Sequence, residues 1–448
     1  MSTATPALSR FAQGLRTETA FDVLAVARRL KAQGKDVIEL QIGDSPFNST
    51  AGALRAGVDA IHQGATHYCP SPGLPSFRQS VANFLGREMN ISVTPEEVVA
   101  APGAKVFEQF FCEAFLDPGD AVLVFTPHFP TYLPNIERRG ATIVFSALRQ
   151  ENEFRPNLDD VRAFVRNHPR ARGVFLNSPH NPTGGVATRE DLEGLGAILD
   201  GTEVGLFSDE PYMHMVWRGK HVSPLQVPSL RPRTMSVYTF SKSYSMSGWR
   251  LGFAVAPPVV ADSVSRMINT SLSCTPPIVQ LAGQAALDGD HAERDTQMAQ
   301  FRRKVELLVG ALRKHPEIEV LDPAGTFYVF PKVEKICRRL GIRSHGLAMY
   351  LLEHADDAKG VACLGGECFG DAGQGFLHRQ LLHRLLAHDR ASGSGSGDDG
   401  LEIVVRFQEI ELEEAKPKSH EPIVEHFMPE IIEDYFSHNS EEINLDDW

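Results

Sequence analysis

Residues 239–253 read TFSKSYSMSGWRLGF. Lys242 stands among the hydroxyl residues Thr239, Ser241, Ser243 and Ser245, and Arg250 follows eight positions later with no acid between them. A solvated helix would mix charge signs at i,i+4 spacing. Two cations framed by hydroxyls suit an anionic group instead. The question is what surroundings the rest of the chain builds for that group.

Working upstream, short apolar runs recur: AVLVF (121–125), GVFLN (173–177), VGLFSD (204–209), MSVYTF (235–240) and LGFAVA (251–256). Between them lie helical patterns such as LPSFRQSVANFL, with Leu74, Phe77, Val81 and Phe84 on one face. Continuous apolar strands alternating with amphipathic helices predict an α/β fold whose mainly parallel sheet is covered by helices on both faces. The polar clusters follow the runs directly. TPHFPTY follows AVLVF, SPHNPTGG follows GVFLN, DEPY closes the third run and SKSYSMSGWR follows the fourth. In an open parallel sheet the carboxyl ends of the strands are where ligands bind. Taken singly, an NPTG turn, a strand-end Asp209 or a helix-opening Gly103 is ordinary punctuation. Together they converge on one sheet edge.

The spacing Asp209–x–x–Tyr212, then Lys242, then Arg250, resembles the class I/II aminotransferases, pyridoxal-phosphate enzymes of fold type I. The matching stretches are THYCPSPGLPSFR, PGAK, TPHFPTY, NSPHNPTGG, SDEPY, TFSKSYSMSGWRLG and PAGTFYVF, spread over roughly residues 20–376. The resemblance implies a large domain around a seven-stranded sheet and a smaller α+β domain built from both ends of the chain. The expected division is 1–45, 46–295 and 296–448. It implies that Lys242 forms a Schiff base with pyridoxal 5'-phosphate and then shuttles the Cα proton. Arg250, Ser241, Thr239 and the PGAK turn (Gly103, Ala104, Lys105) would hold the phosphate at a helix start. Asp209 would pair with the pyridine nitrogen, Asn181 and Tyr212 with the phenolic oxygen, and Phe129 would stack on the ring. Tyr68 would reach the phosphate of a neighbouring subunit, which implies a homodimer with shared sites. The implied reaction moves an amino group from an amino acid to a 2-oxo acid by ping-pong kinetics.

Two other functions fit part of the same pattern. A lyase or synthase on the same fold would keep Lys242, Asp209, Tyr212 and Arg250, because the cofactor site does not fix the reaction; ammonia release, or oxo acid formed without an acceptor, would mark it. A non-catalytic protein retaining the pocket would keep the cofactor and lose the substrate carboxylate site.

The substrate α-carboxylate calls for an arginine fork, and the resemblance places it in a strand just after the Gly-rich stretch LGGECFGDAGQGFL (364–377). Here His378 and Arg379 come next, inside LHRQLLHRLLAHDR (377–390), which reads as a basic amphipathic helix, and ASGSGSGDDG (391–400), which reads as a flexible linker, follows. Arg406, in the strand-like LEIVVRF, is the preferred fork, with Arg379 as the alternative. Gly43 matches the glycine that lets backbone approach this carboxylate.

Composition limits the remaining choices. The net charge is −13, and residues 401–448 hold 14 acids against 3 Lys/Arg. The near-neutral remainder argues against nucleic-acid binding, and the acidic tail reads as a solvated element. No apolar run is long enough for a membrane span, and the N-terminus lacks a secretory apolar stretch. Six scattered cysteines without CxxC spacing point to free thiols, a cytoplasmic setting and no metal site. An amphipathic helix is expected near the start, with Phe21, Leu24, Val26 and Leu30 inward.

Overall fold

The computed structural model describes residues 6–15 and 18–380. The side chains of Arg379 and Gln380 lie outside the described residues. So do the remainder of the predicted 377–390 helix, the 391–400 linker, Arg406 and the acidic tail. Among the described residues the strands are β1 (Asp36–Glu39), β2 (Val98–Ala101), β3 (Ala121–Thr126), β4 (Thr142–Ala147), β5 (Ala171–Asn177) and β6 (Gly205–Asp209). They continue as β7 (Thr234–Thr239), β8 (Gly252–Val255), β9 (Tyr328–Val329), β10 (Lys359–Ala362), β11 (Leu364–Gly365) and β12 (Leu377–Gln380).

Seven of these form one sheet in the order β2-β8-β7-β6-β5-β3-β4. Strands β3 to β7 run parallel, whereas β8 is antiparallel to both β7 and β2. The expected α/β architecture with a mainly parallel seven-stranded sheet is what forms. Every residue of β2, β3, β6 and β8 is buried. This is why these strands read as continuous apolar runs rather than as alternating ones. On one face Phe107, Phe110 and Phe111 of the helix Lys105–Phe115 pack against Phe175 and Phe207. On the other, Leu192, Leu195 and Leu199 of the helix Arg189–Leu199 cover Leu123, Val174 and Leu206. That second helix is started by a reciprocal cap. The Asp191 N–H donates to Thr188 Oγ1 at 3.2 Å, and the Thr188 N–H donates to Asp191 Oδ2 at 2.9 Å. The helix Pro75–Met89 buries Phe77, Val81 and Phe84 as its periodicity predicts.

Near the chain's start, β1 pairs in parallel with β10, and β11-β12-β9 form a small antiparallel sheet. Three local expectations need correction. The helix Thr19–Ala32 turns Val23 and Ala27 inward, while Phe21 is 56% exposed. Val23 and Ala27 form the centre of its inner face against Val37 and Ala362, with Val26 and Leu30 partly buried beside them, so of the expected apolar set it is Phe21 that turns outward. In TFYVFPK only Tyr328–Val329 is strand. Residues 377–380, expected to open a helix, form β12 instead, with Leu377 and His378 opposite Gly365 and Leu364, and Arg379 opposite Val329. Leu377 and His378 are fully buried by this pairing, and tertiary contacts outweigh local helical periodicity. No described helix is long and apolar enough to cross a membrane. No cluster of His, Cys, Asp or Glu among the described residues could hold a metal.

Candidate active site

The topology explains how separate sequence motifs meet. Parallel β3, β5, β6 and β7 deliver the residues at or just beyond their carboxyl ends to one edge: Phe129, Asn181, Asp209 and Lys242. Because β8 is antiparallel to β7, its starting residue Gly252 lies opposite Thr239 at that same edge. Arg250, two residues earlier, is therefore delivered there too. Strand β2, antiparallel to β8, ends with Ala101 opposite Gly252 and leads straight into Gly103, Ala104 and Lys105.

These residues surround a cavity of about 380 Å³. Ala104, Lys105, Phe129, Asn181 and Asp209 line it, as do Tyr212, Thr239, Ser241, Lys242, Arg250 and Gly43. Gly103 sits just behind, with φ +83°, and a Cβ there would lie 2.3 Å from Arg250 Nη2. A glycine is needed on both counts: the left-handed backbone and the guanidinium pressed against it. Gly252 is equally constrained, since a Cβ would meet the Tyr238 carbonyl oxygen at 2.7 Å and Gly103 backbone at 2.8 Å. Ser245 and Arg250 themselves adopt left-handed φ values of 53° and 52°, a cost of about 1–3 kcal/mol each that persists where surroundings over-determine the backbone. Arg250 donates to the Ser247 carbonyl at 2.9 Å. Thr239 Oγ1 donates to Ser241 Oγ at 2.9 Å.

Lys242 is half-buried and donates to the carbonyl of Gly43. Burial pulls its amine down from 10.5 to about 8. Asp44 and Glu18 oppose that change, while Lys105 and Arg250 add to it. Asp209 is 8% exposed and accepts from Tyr132 Oη at 2.5 Å. Burial raises its carboxyl to about 6, with Tyr132 and Lys242 pulling it back. The loop after β5 is fixed by Asn177, which donates to the Asp209 carbonyl at 2.8 Å and accepts from the Asn181 N–H at 2.7 Å. This braces Asn181 beside Asp209 and leaves its buried Oδ1 without a hydrogen-bond partner. Tyr212 Oη meets Tyr328 Oη at 2.6 Å, and burial together with Tyr328 holds the Tyr212 hydroxyl well above its usual range. Lys105 pairs with Glu18, and its Nζ lies 5.3 Å from the centre of the Phe129 ring.

Tyr68 is not brought to the cavity of its own chain; it is 88% exposed. Arg379 is placed in β12 by its backbone. Several cavity residues carry no mark in the motifs. Glu108 is buried in the cavity wall and accepts from Thr131 Oγ1 at 2.6 Å. Burial raises it to about 8, and the nearby charge of Asp209 adds to the rise. A signal for it exists in KVFEQFFCEAF, where Glu108 shares a helix face with Phe111 and Cys112 at i+3 and i+4. Tyr132, behind the cavity wall, closes the motif TPHFPTY, but nothing in that motif marks its bond to Asp209. His378 also lines the cavity at 0% exposure, packed against the rings of Tyr328 and Phe369 at 4.7 and 4.5 Å between centroids. Burial lowers its imidazole to about 3, so it is neutral. Both ring nitrogens are buried without a partner, which costs about 1–3 kcal/mol for an unmet donor.

The arrangement offers an amine of lowered basicity and a buried carboxylate on one side. A glycine turn, a helix start, two hydroxyls and a guanidinium make an anion cradle on the other. The orphaned Asn181 Oδ1 and the cradle fit pyridoxal 5'-phosphate, an aldehyde-bearing ring with a phosphate arm.

Comparison with known proteins agrees with this geometry. Residues 35–377 match the family model described as aminotransferase class I and II. The arginine–pyruvate transaminase AruH of Pseudomonas aeruginosa is 31% identical over 363 residues, covering 81% of this chain and 90% of that protein. The aspartate/prephenate aminotransferase of Thermus thermophilus is 34% identical over 327 residues, covering 72% of this chain and 83% of that protein. The solved structure of aspartate aminotransferase from Thermus thermophilus with maleate superposes with a TM-score of 0.80 at 29% identity, covering 90% of this chain and all of that one.

Proposed function

Because the chain belongs to the class I and II aminotransferases, we propose that it is a pyridoxal 5'-phosphate enzyme moving an amino group from an L-amino acid to a 2-oxo acid in two ping-pong half-reactions. The observation that carries this reading is the single cavity in which Lys242, Asp209, Asn181, Tyr212 and Arg250 meet. When bound there, pyridoxal phosphate supplies an electron sink for the electrons left at the substrate Cα. Lys242 would hold it through Nζ, and the same nitrogen, once a substrate amine takes its place, is the base positioned to take up and give back the Cα proton. An amine near 8 holds a substantial neutral fraction at mildly alkaline pH, as a base needs. Asp209, with Tyr132 fixing its carboxylate, would hold the pyridine nitrogen. Asn181 and Tyr212 would take the phenolic oxygen, and Phe129 would cover the ring. Gly103, Ala104, Lys105, Thr239, Ser241 and Arg250 would hold the phosphate.

Gly43, Asn181 and an arginine orient the substrate carboxylate. Arg406 is the first candidate for that arginine. Arg379, whose backbone lies in β12, is the alternative. The exposed stripe Leu54, Val58 and Ile61, at i, i+4 and i+7 on the helix Ala51–His62, supports a homodimer. So does exposed Tyr68, which in that dimer reaches the partner's phosphate. The thiols of Cys69, Cys112, Cys274, Cys337 and Cys368 support a cytoplasmic setting. The division into 1–45, 46–295 and 296–448 is supported by the pairing of β1 with β10. The test is Lys242→Ala in the cofactor-loaded protein. Loss of both the visible band of the lysine-linked cofactor and transamination is expected, and persistence of that band would show that the anchor lies elsewhere.

A further inference from the structure

Among the described residues His378 is the one lining the cavity whose polar atoms are wholly buried and wholly unmatched: 0% exposed, with neither Nδ1 nor Nε2 hydrogen-bonded. It is fixed in place. Strand β12 pairs it with Leu364, and Tyr328 and Phe369 pack on its ring. Tyr328 in turn hydrogen-bonds Tyr212. The imidazole is thus held rigidly in the wall that Gly43, Lys242 and Tyr212 complete. A core histidine without a ligand-related purpose would satisfy at least one nitrogen on a neighbouring backbone or hydroxyl group. This one satisfies neither, although hydroxyls and carbonyls are plentiful around the cavity.

From this placement we infer that His378 reads the carboxylate of the incoming amino or oxo acid, donating one N–H to a carboxylate oxygen. The inference rests on the functional reading above and adds a specificity-determining residue to it. A neutral imidazole offers one donor, whereas a guanidinium fork offers two parallel ones. A carboxylate in this wall is consequently held at one point by His378, and its second oxygen depends on other groups. A hydrogen bond to a charged acceptor, removed from a buried site, lowers affinity by roughly ten- to a hundredfold.

The test uses the full chain loaded with pyridoxal phosphate and titrated with non-reacting carboxylates, maleate and 3-phenylpropionate, read by their shift of the visible cofactor band. His378→Phe and His378→Leu are compared with His378→Asn and His378→Gln, which keep an amide donor. The expected result is at least a tenfold loss of carboxylate affinity in both apolar variants, with the cofactor band intact. One of the amide variants recovers affinity to within about threefold of the parent. With amino donors, KM rises more than kcat falls. Equal carboxylate affinity in the parent and the apolar variants overturns the inference, and so does a loss that neither amide variant repairs, which marks a packing role. Absence of the cofactor band in the parent protein would count against the functional reading itself and is told apart at the first spectrum.

Discussion

Removing the charge of Lys242 should stabilise the cofactor-free protein near neutral pH. The amine falls from 10.5 to about 8 because burial disfavours its charged form. At about 1.4 kcal/mol per tenfold change this corresponds to about 3 kcal/mol. The side chain is only half-buried, so solvent screening reduces the figure to roughly 2 kcal/mol. Lys242→Met also loses the hydrogen bond to the Gly43 carbonyl, worth about 1 kcal/mol. A net gain of about 1 kcal/mol remains. The sign follows from proton counting. Below about pH 8 both the folded and the unfolded lysine are charged, and the folded state bears the whole cost. Between 8 and 10.5 the unfolded state binds more protons than the folded one, so the parent's stability rises with pH and the advantage of methionine fades. Equilibrium urea denaturation of both cofactor-free proteins at about pH 7 and about pH 10 measures this. Lys242→Arg, which keeps the charge, should show no gain. If Lys242→Met unfolds more readily than the parent at pH 7, or if its effect is the same at both pH values, the burial argument is wrong.

Gly103→Ala should weaken cofactor binding by tenfold or more, measured by equilibrium dialysis of pyridoxal phosphate, because its Cβ would displace Arg250. Gly252→Ala should destabilise the fold by about 1–3 kcal/mol in urea denaturation, since the clash is with backbone that cannot yield. Asp209→Asn should leave the cofactor bound more weakly and cut transamination by a hundredfold or more, read from kcat with saturating cofactor, because no carboxylate then faces the pyridine nitrogen. Arg406→Ala should raise KM for every amino donor without releasing cofactor; unchanged kinetics would move the assignment to Arg379.

The large sheet was legible because fully buried parallel strands leave continuous apolar runs, and because the ligand-facing clusters must follow those runs. Asp209 after GLFSD and Lys242 after MSVYTF are legible for that reason. The edge they share is also legible, down to Arg250, although its delivery depends on β8 running antiparallel. Residues that face the cavity from inside regular elements are harder to see. Glu108 lies in an otherwise apolar helix face, and Tyr132, although it closes TPHFPTY, gives no sign there that it reaches Asp209. The N-terminal helix misleads because its buried face uses Val23 and Ala27 while the bulkier Phe21 stays outside. At 377–380 the local period favours a helix, and only the partners β9 and β11, distant in sequence, make it a strand.

The measurement that bears most directly on the proposed reaction is a spectral titration of the purified, cofactor-loaded protein with single amino acids and no oxo acid. At least one donor is expected to convert the visible band of the lysine-linked cofactor to its aminated form and to release one equivalent of 2-oxo acid. Adding a second oxo acid should then restore the band. Retention of the band with every donor, or release of ammonia alongside the oxo acid, would contradict amino transfer at this site.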